Sequence, residues 1–199
     1  MKVKKFDFLL TTQTDLDKMA IRSLAIFCGS KTGANKLYMQ QATELGKILA
    51  GNNIAIIYGG GKKGLMGCIA DTALQYGGIV RGVIPQGLVD REHQHDTLTE
   101  LMIVEDMHQR KRKLYELCDA ALILPGGFGT LDEMFEIITW NQLSIHDKQI
   151  FVLNSEGFYD HLFAHLQQLK EEGFLYVDPD RCIRVISEPS DIIPYIQSY

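Results

Sequence analysis

The stretch PGGFGTLDE, residues 125–133, decides how this chain folds. It follows the apolar run AALIL, 120–124, and leads into a segment, 131–143, whose apolar residues recur at helical spacing. A strand, a glycine turn and a helix in that order make one βα unit of a parallel sheet. A helix opened by such a turn aims its unpaired backbone N–H groups and the positive end of its dipole at one point, so it can seat an anion without a cation. Phosphate is the expected occupant. Asp132 and Glu133 put two carboxylates beside that seat, which suggests a site that acts on a phosphorylated molecule.

The same unit recurs on either side. Short apolar or β-branched runs at 24–28, 54–58, 79–84, 101–104 and 150–153 join 120–124 as predicted strands, with helical patterns at 34–50, 65–75 and 159–172. Gly51 reads as the stop of the first helix. Strands with little alternation imply a sheet covered on both faces. The expected fold is therefore α/β, a Rossmann-like doubly wound parallel sheet with helices on both faces, in a single domain over 21–199 behind an N-terminal extension, 1–20. Ligands of such sheets bind beyond the carboxyl ends of the strands. Gly29 with Ser30, then Gly59, Gly60 and Gly61, then Gly126 and Gly127 each follow a predicted strand there.

Composition narrows the function. With 199 residues, 46% of them apolar, the chain can build one substantial core. A formal charge of −5 gives no electrostatic case for nucleic-acid binding. Cys28, Cys68, Cys118 and Cys182 match neither zinc-ligand spacing nor a compact disulfide framework, so no metal is expected and the thiols read as reduced. No apolar run approaches membrane-spanning length, and Lys2, Lys4 and Lys5 precede only a brief apolar stretch; a cytoplasmic protein with no membrane partner is expected.

Two common nucleotide motifs fail. Gly59, Gly61 and Gly64 satisfy G-x-G-x-x-G, but the next strand ends in Ile84-Pro85-Gln86, without the acid that would hold a dinucleotide ribose. No glycine loop runs into Gly-Lys followed by Ser or Thr, so the Walker motif is absent.

Glu133 has two readings. Thr130-Leu131-Asp132-Glu133 is a capping box in which Thr130 caps the helix and Glu133 reaches back. Glu133 also shares a helix side with Ile137 and Trp140, where partial desolvation would favour acid or base chemistry. A second constellation, MHQRKRK at 107–113, opens another helix with four cations that oppose its dipole. One reading is a solvated basic face. With Met107, Leu114, Leu117 and Cys118 as the apolar stripe, helical spacing turns Arg110 and Lys111 to its flanks and Arg112 away. Arginine keeps its charge, so Arg110 would orient a substrate or stabilise developing charge.

GSKTG after the first strand, YGGGKKGLMG, MHQRK, PGGFGTLDE and ITWNQLSIHDKQ, in this order, resemble the LONELY GUY (LOG) family of cytokinin riboside 5′-monophosphate phosphoribohydrolases over about residues 22–195. The resemblance implies hydrolysis of the N-glycosidic bond of an adenosine 5′-monophosphate, N6-prenylated in cytokinin precursors, to free base and ribose 5-phosphate, without a cofactor. It implies catalytic roles for Arg110 and Glu133. It implies substrate contacts from Lys111, Gly126, Gly127, Phe128, Gly129, Thr130, Asp132, Thr139 and Glu92, and a homodimer. Phe128, Asp132 and Gln149 depart from the family's commonest residues, as do Lys62 and Lys63, and the stretch after Glu92 is unlike the plant type. AMP without the prenyl group is therefore an alternative substrate. A molybdenum-cofactor carrier of related fold is the non-catalytic alternative, and the coexistence of Arg110 with Glu133 speaks against it. Lysine decarboxylase, a label such proteins have carried, finds no support, because no lysine can be nominated for a pyridoxal phosphate Schiff base.

Overall fold

The computed structural model describes residues 21–89 and 94–197. The proposed extension, 1–20, and Glu92 lie outside the described residues. Strands β1 (Ser23–Phe27), β2 (Ala55–Tyr58), β3 (Val80–Pro85), β4 (Glu100–Val104), β5 (Ala120–Ile123), β6 (Ile150–Leu153) and β7 (Ile183–Ile186) form one sheet in the order β4-β3-β2-β1-β5-β6-β7. All neighbours are parallel. Helices α1 (Lys36–Gly51), α2 (Gly64–Gln75), α3 (Met107–Leu117), α4 (Phe128–Gln142), α5 (Asp160–Glu171) and the short α6 (Ile193–Ile196) cover it.

Alternation along the strands divides the core in two. Leu24 and Ile26 of β1, Ile56 of β2 and Leu122 of β5 pack with Leu45 and Leu49 of α1 and Ile69 of α2. Ala25 and Phe27 of β1, Ile57 of β2 and Ile123 of β5 pack with Leu114 of α3, Met134 and Ile137 of α4 and Leu166 of α5. Central strands buried on both faces have no polar side to show, which is why they read as continuous apolar runs. From β1 the chain winds outward through β2, β3 and β4, then returns to β5 and winds the other way. The crevice beyond the carboxyl ends of β1 and β5 is thus the topological switch point, where such sheets take their ligands.

Three readings are corrected. The seventh strand, β7, and the terminal turn α6 escaped the pattern reading, because IRVI is four residues long with Arg184 inside it. Gly51 is the last residue of helix α1 rather than the stop beyond it: Asn52 is the cap and Asn53 takes the left-handed backbone, φ 57°. Helix α4 starts at Phe128, three residues before the expected start, with Gly127 as its cap. Thr130 consequently lies inside the first turn and cannot be the cap residue of a capping box.

Helices α1 and α2 meet so closely that a β-carbon on Gly46 would stand 2.9 Å from the Ile69 carbonyl oxygen and 2.8 Å from Thr72 Cβ, whereas one on Gly51 would meet nothing within 4 Å. Gly46→Ala is expected to destabilise the fold by about 1–3 kcal/mol through overpacking. Gly51→Ala should be neutral or gain a few tenths to about 1 kcal/mol from helix propensity and chain entropy. Urea unfolding midpoints of the two variants compare them directly.

Candidate active site at the switch point

The crevice is stitched together by backbone. Gly29, two residues past β1, donates its N–H to the Pro125 carbonyl at 3.0 Å, and its own carbonyl accepts from Leu65 at 3.0 Å and Met66 at 3.4 Å at the start of α2. Both of its main-chain groups are committed to the frame, so Gly29 holds three segments together. Gly126 is pressed against Thr130: a β-carbon there would lie 2.1 Å from the Thr130 hydroxyl oxygen, and Thr130 itself is buried. Beyond this packed pair, Gly127, Phe128 and Gly129 are exposed, and β-carbons on Gly127 and Gly129 would meet nothing within 4 Å. The first turn of α4 thus opens to solvent at the crevice with Ser30, also exposed, on the neighbouring loop.

Arg110 is buried, with 6% of its surface exposed, and reaches from α3 to the end of β2. Its guanidinium rests where a side chain on Gly59 would be: a β-carbon there would stand 2.1 Å from Nη2. Nη1 donates to Met107 Sδ at 3.7 Å. Arg112 is exposed on the other side of the helix. Asp106 begins α3, accepting from the Gln109 N–H at 2.8 Å, and so places a carboxylate at the dipole end that the following cations oppose.

Glu133, six residues into α4, is half-buried. Burial first, and then the nearby Glu133 carboxylate, push the Cys28 thiol well above its usual range. Glu133 therefore lies near Cys28, the residue that follows β1. Lys111, the neighbour of Arg110, turns instead to α4, where its ammonium pairs with Asp132 at 2.8 Å and Glu136 at 3.3 Å. Burial pulls the lysine pKa down, but the hydrogen bonds to Asp132 and Glu136 outweigh it and leave it raised. Lys111 and Asp132 thus bridge the two helices. Thr139 is exposed further along α4, its hydroxyl donating to the Phe135 carbonyl at 2.7 Å. At 1.5 Å per residue it lies about 12–16 Å along the helix from the first turn, 128–131.

Gly60 and Gly61 carry a different contact. Gly60, with φ 79°, accepts at its carbonyl from the His95 N–H at 2.9 Å, and Gly61 pairs with Gln94 in an isolated bridge. His95 is 3% exposed; its Nδ1 accepts from the Thr97 N–H at 3.3 Å and its Nε2 meets Asp71 at 3.0 Å. The tautomer that fits carries its proton on Nε2. Sequence reasoning missed His95, Asp71, Tyr115 and Glu136; only the unusual HQHD segment marked the first of them.

The fold is a doubly wound α/β sheet with a crevice at its switch point, and comparison with known proteins narrows the class. The family described as "Possible lysine decarboxylase" matches residues 66–196. The rice (Oryza sativa subsp. japonica) protein named probable cytokinin riboside 5′-monophosphate phosphoribohydrolase LOGL2 is 42% identical over 178 residues, 89% of this chain and 73% of that one. Arabidopsis thaliana LOG1, named cytokinin riboside 5′-monophosphate phosphoribohydrolase, is 42% identical over 180 residues, covering 89% and 84%. The chain belongs to this LOG family. Among solved structures, the molybdenum cofactor binding protein of Rippkaea orientalis shares the fold, with a TM-score of 0.65 at 20% identity over 89% of this chain and 96% of that one.

The Lys111 bridge has a pH signature. Because its pKa is raised on folding, the ammonium stabilises the protein fully below the ordinary lysine value, and that contribution is lost as pH rises through the folded value. Wild-type protein and Lys111→Met should therefore differ most in urea midpoint near pH 8 and converge above about pH 10.5. A constant difference would show that the ion pair does not bear on stability.

Proposed function

We propose that this chain hydrolyses the N-glycosidic bond of adenosine 5′-monophosphates, with or without an N6-prenyl group, releasing the base and ribose 5-phosphate. The observation that carries the reading is the pair Arg110 and Glu133. These opposite charges ride on different helices, Arg110 against Gly59 after β2 and Glu133 near Cys28 after the neighbouring β1, in a chain 42% identical to named phosphoribohydrolases. The first turn of α4, with Gly127, Phe128, Gly129 and Thr130, seats the 5′-phosphate on its N–H groups. Anchoring that end turns binding energy into orientation of the ribose.

Breaking C1′–N9 builds positive charge on the ribose and negative charge on the purine. A carboxylate near C1′ stabilises the first and a guanidinium near the base the second, both more strongly as charge develops than before it. Glu133 is assigned the ribose side, where it also takes a proton from the attacking water, a step that typically contributes about 10²–10⁴-fold. Arg110 is assigned the purine side. Water's oxygen and one of its hydrogens end on C1′, and its other proton, taken up by Glu133, is passed through solvent to the nitrogen of the departing base. A homodimer and a cytoplasmic location accompany this reading; no helix among the described residues is long and apolar enough to cross a membrane.

Chromatographic assay of base release from AMP, N6-prenyl-AMP and adenosine tests it. The two monophosphates are expected to be cleaved and adenosine only feebly; equal turnover of AMP and adenosine would remove the phosphate seat from the argument. Any preference for the prenyl nucleotide should stay below about 10⁴, since one or two buried methylenes are worth roughly 10–200-fold.

Residue roles are tested by substitution. Glu133→Gln should lose at least about 10²-fold in kcat while AMP binds within about tenfold of wild type, because the amide cannot accept the proton. Gly59→Ala should fold normally, since the atom it meets is the far end of a flexible side chain, yet lose at least about tenfold in kcat/KM as Arg110 is displaced. Arg112→Ala should behave as wild type; a loss equal to that of Arg110→Ala would refute the assignment of Arg110.

A further inference from the structure

We propose that Tyr115 is a positioning residue for Glu133, holding the catalytic carboxylate of α4 in register with Arg110 of α3. The inference rests on the phosphoribohydrolase reading of the site. The two groups that must meet one substrate ride on different helices, and apolar packing between helices fixes their distance better than their sliding or rotation. A misplacement of about 1 Å is enough to cost a reaction on the order of 10²-fold. Some directional bond between α3 and α4 close to Glu133 is therefore needed, and Tyr115 supplies it.

Tyr115 is 3% exposed on the inner face of α3. Its ring is wedged edge-on between Phe27 of β1, centroids 6.0 Å apart, and Trp140 of α4, centroids 4.7 Å apart. The hydroxyl therefore has one place to be. It donates its single proton between the main-chain carbonyl of Glu133 at 3.1 Å and Glu136 Oε2 at 3.2 Å. Burial first, then the carboxylates of Glu136 and Glu133, raise its pKa, so the donor stays protonated over the working range. The Lys111 ammonium also reaches Glu136, at 3.3 Å. Tyr115 and Lys111 thus grip the same turn of α4 from the same helix that carries Arg110. Of the two, only Tyr115 bonds to the Glu133 residue itself.

The test is Tyr115→Phe, which keeps the ring and removes the bond, beside Glu136→Gln, whose amide oxygen can still accept it. With AMP as substrate, Tyr115→Phe is expected to lower kcat about ten- to a hundredfold, leave KM within about twofold and shift the melting temperature by no more than a few degrees. Glu136→Gln is expected to keep kcat within about threefold. A Tyr115→Phe enzyme with wild-type kcat would overturn the proposal. So would a loss in kcat matched by Glu136→Gln, which would trace the effect to the Lys111 ion pair, or a loss accompanied by a large fall in melting temperature, which would make Tyr115 a core residue and no more. Wild-type base release in the same assay separates the two claims: if it is present and Tyr115→Phe is unimpaired, positioning alone fails, and if it is absent, the reading of the site fails and the proposal with it.

Discussion

The hydrogen-bonded pairing of β1 with β5 is the constraint on which the remainder depends. These strands lie side by side, yet the chain leaves them in opposite directions, so no crossover helix closes over the gap between their ends. The loops that follow them can meet only through backbone, which is what Gly29 does with Pro125 and with the start of α2. The groups of the candidate site are placed relative to that seam: the first turn of α4 because it continues β5, Glu133 because it lies near Cys28 after β1, Arg110 because the end of β2 next door lacks a side chain at Gly59.

Much of this was legible in the residues. The central strands were, because burial on both faces leaves an unbroken apolar signature. The opposite fates of Arg110 and Arg112 were, because helical periodicity alone separates them. The boundaries were less so: Phe128 and Gly129 look like loop chemistry, but Gly127 is the cap and α4 begins at once. What stayed invisible was pairing across the sequence. Lys111 and Asp132 could each be read as ligand contacts from their motifs; that they neutralise each other follows only from the packing of α3 on α4. His95 and Asp71, 24 residues apart, pose the same difficulty.

The two faces of the sheet divide the labour. The side covered by α1 and α2 is built for closeness, with glycine at the helix contact, and serves as a rigid backing. The side covered by α3 and α4 carries Arg110, Glu133 and the bridges among Lys111, Asp132, Tyr115 and Glu136, and under the proposed reaction it is there that small changes in helix position would be felt as chemistry.

Cys28 gives that chemistry a selectivity. A ribose cation is captured by whichever nucleophile is nearest, and sulfur is a far better one than water once it is a thiolate. The thiol at the end of β1 stands beside the carboxylate assigned to the cation, and its apolar burial and that same negative charge keep its proton on. Under the proposed reaction, the carboxylate assigned to the water also disfavours the thiolate. A thiol kept protonated in this way is a weak rival to water for the sugar.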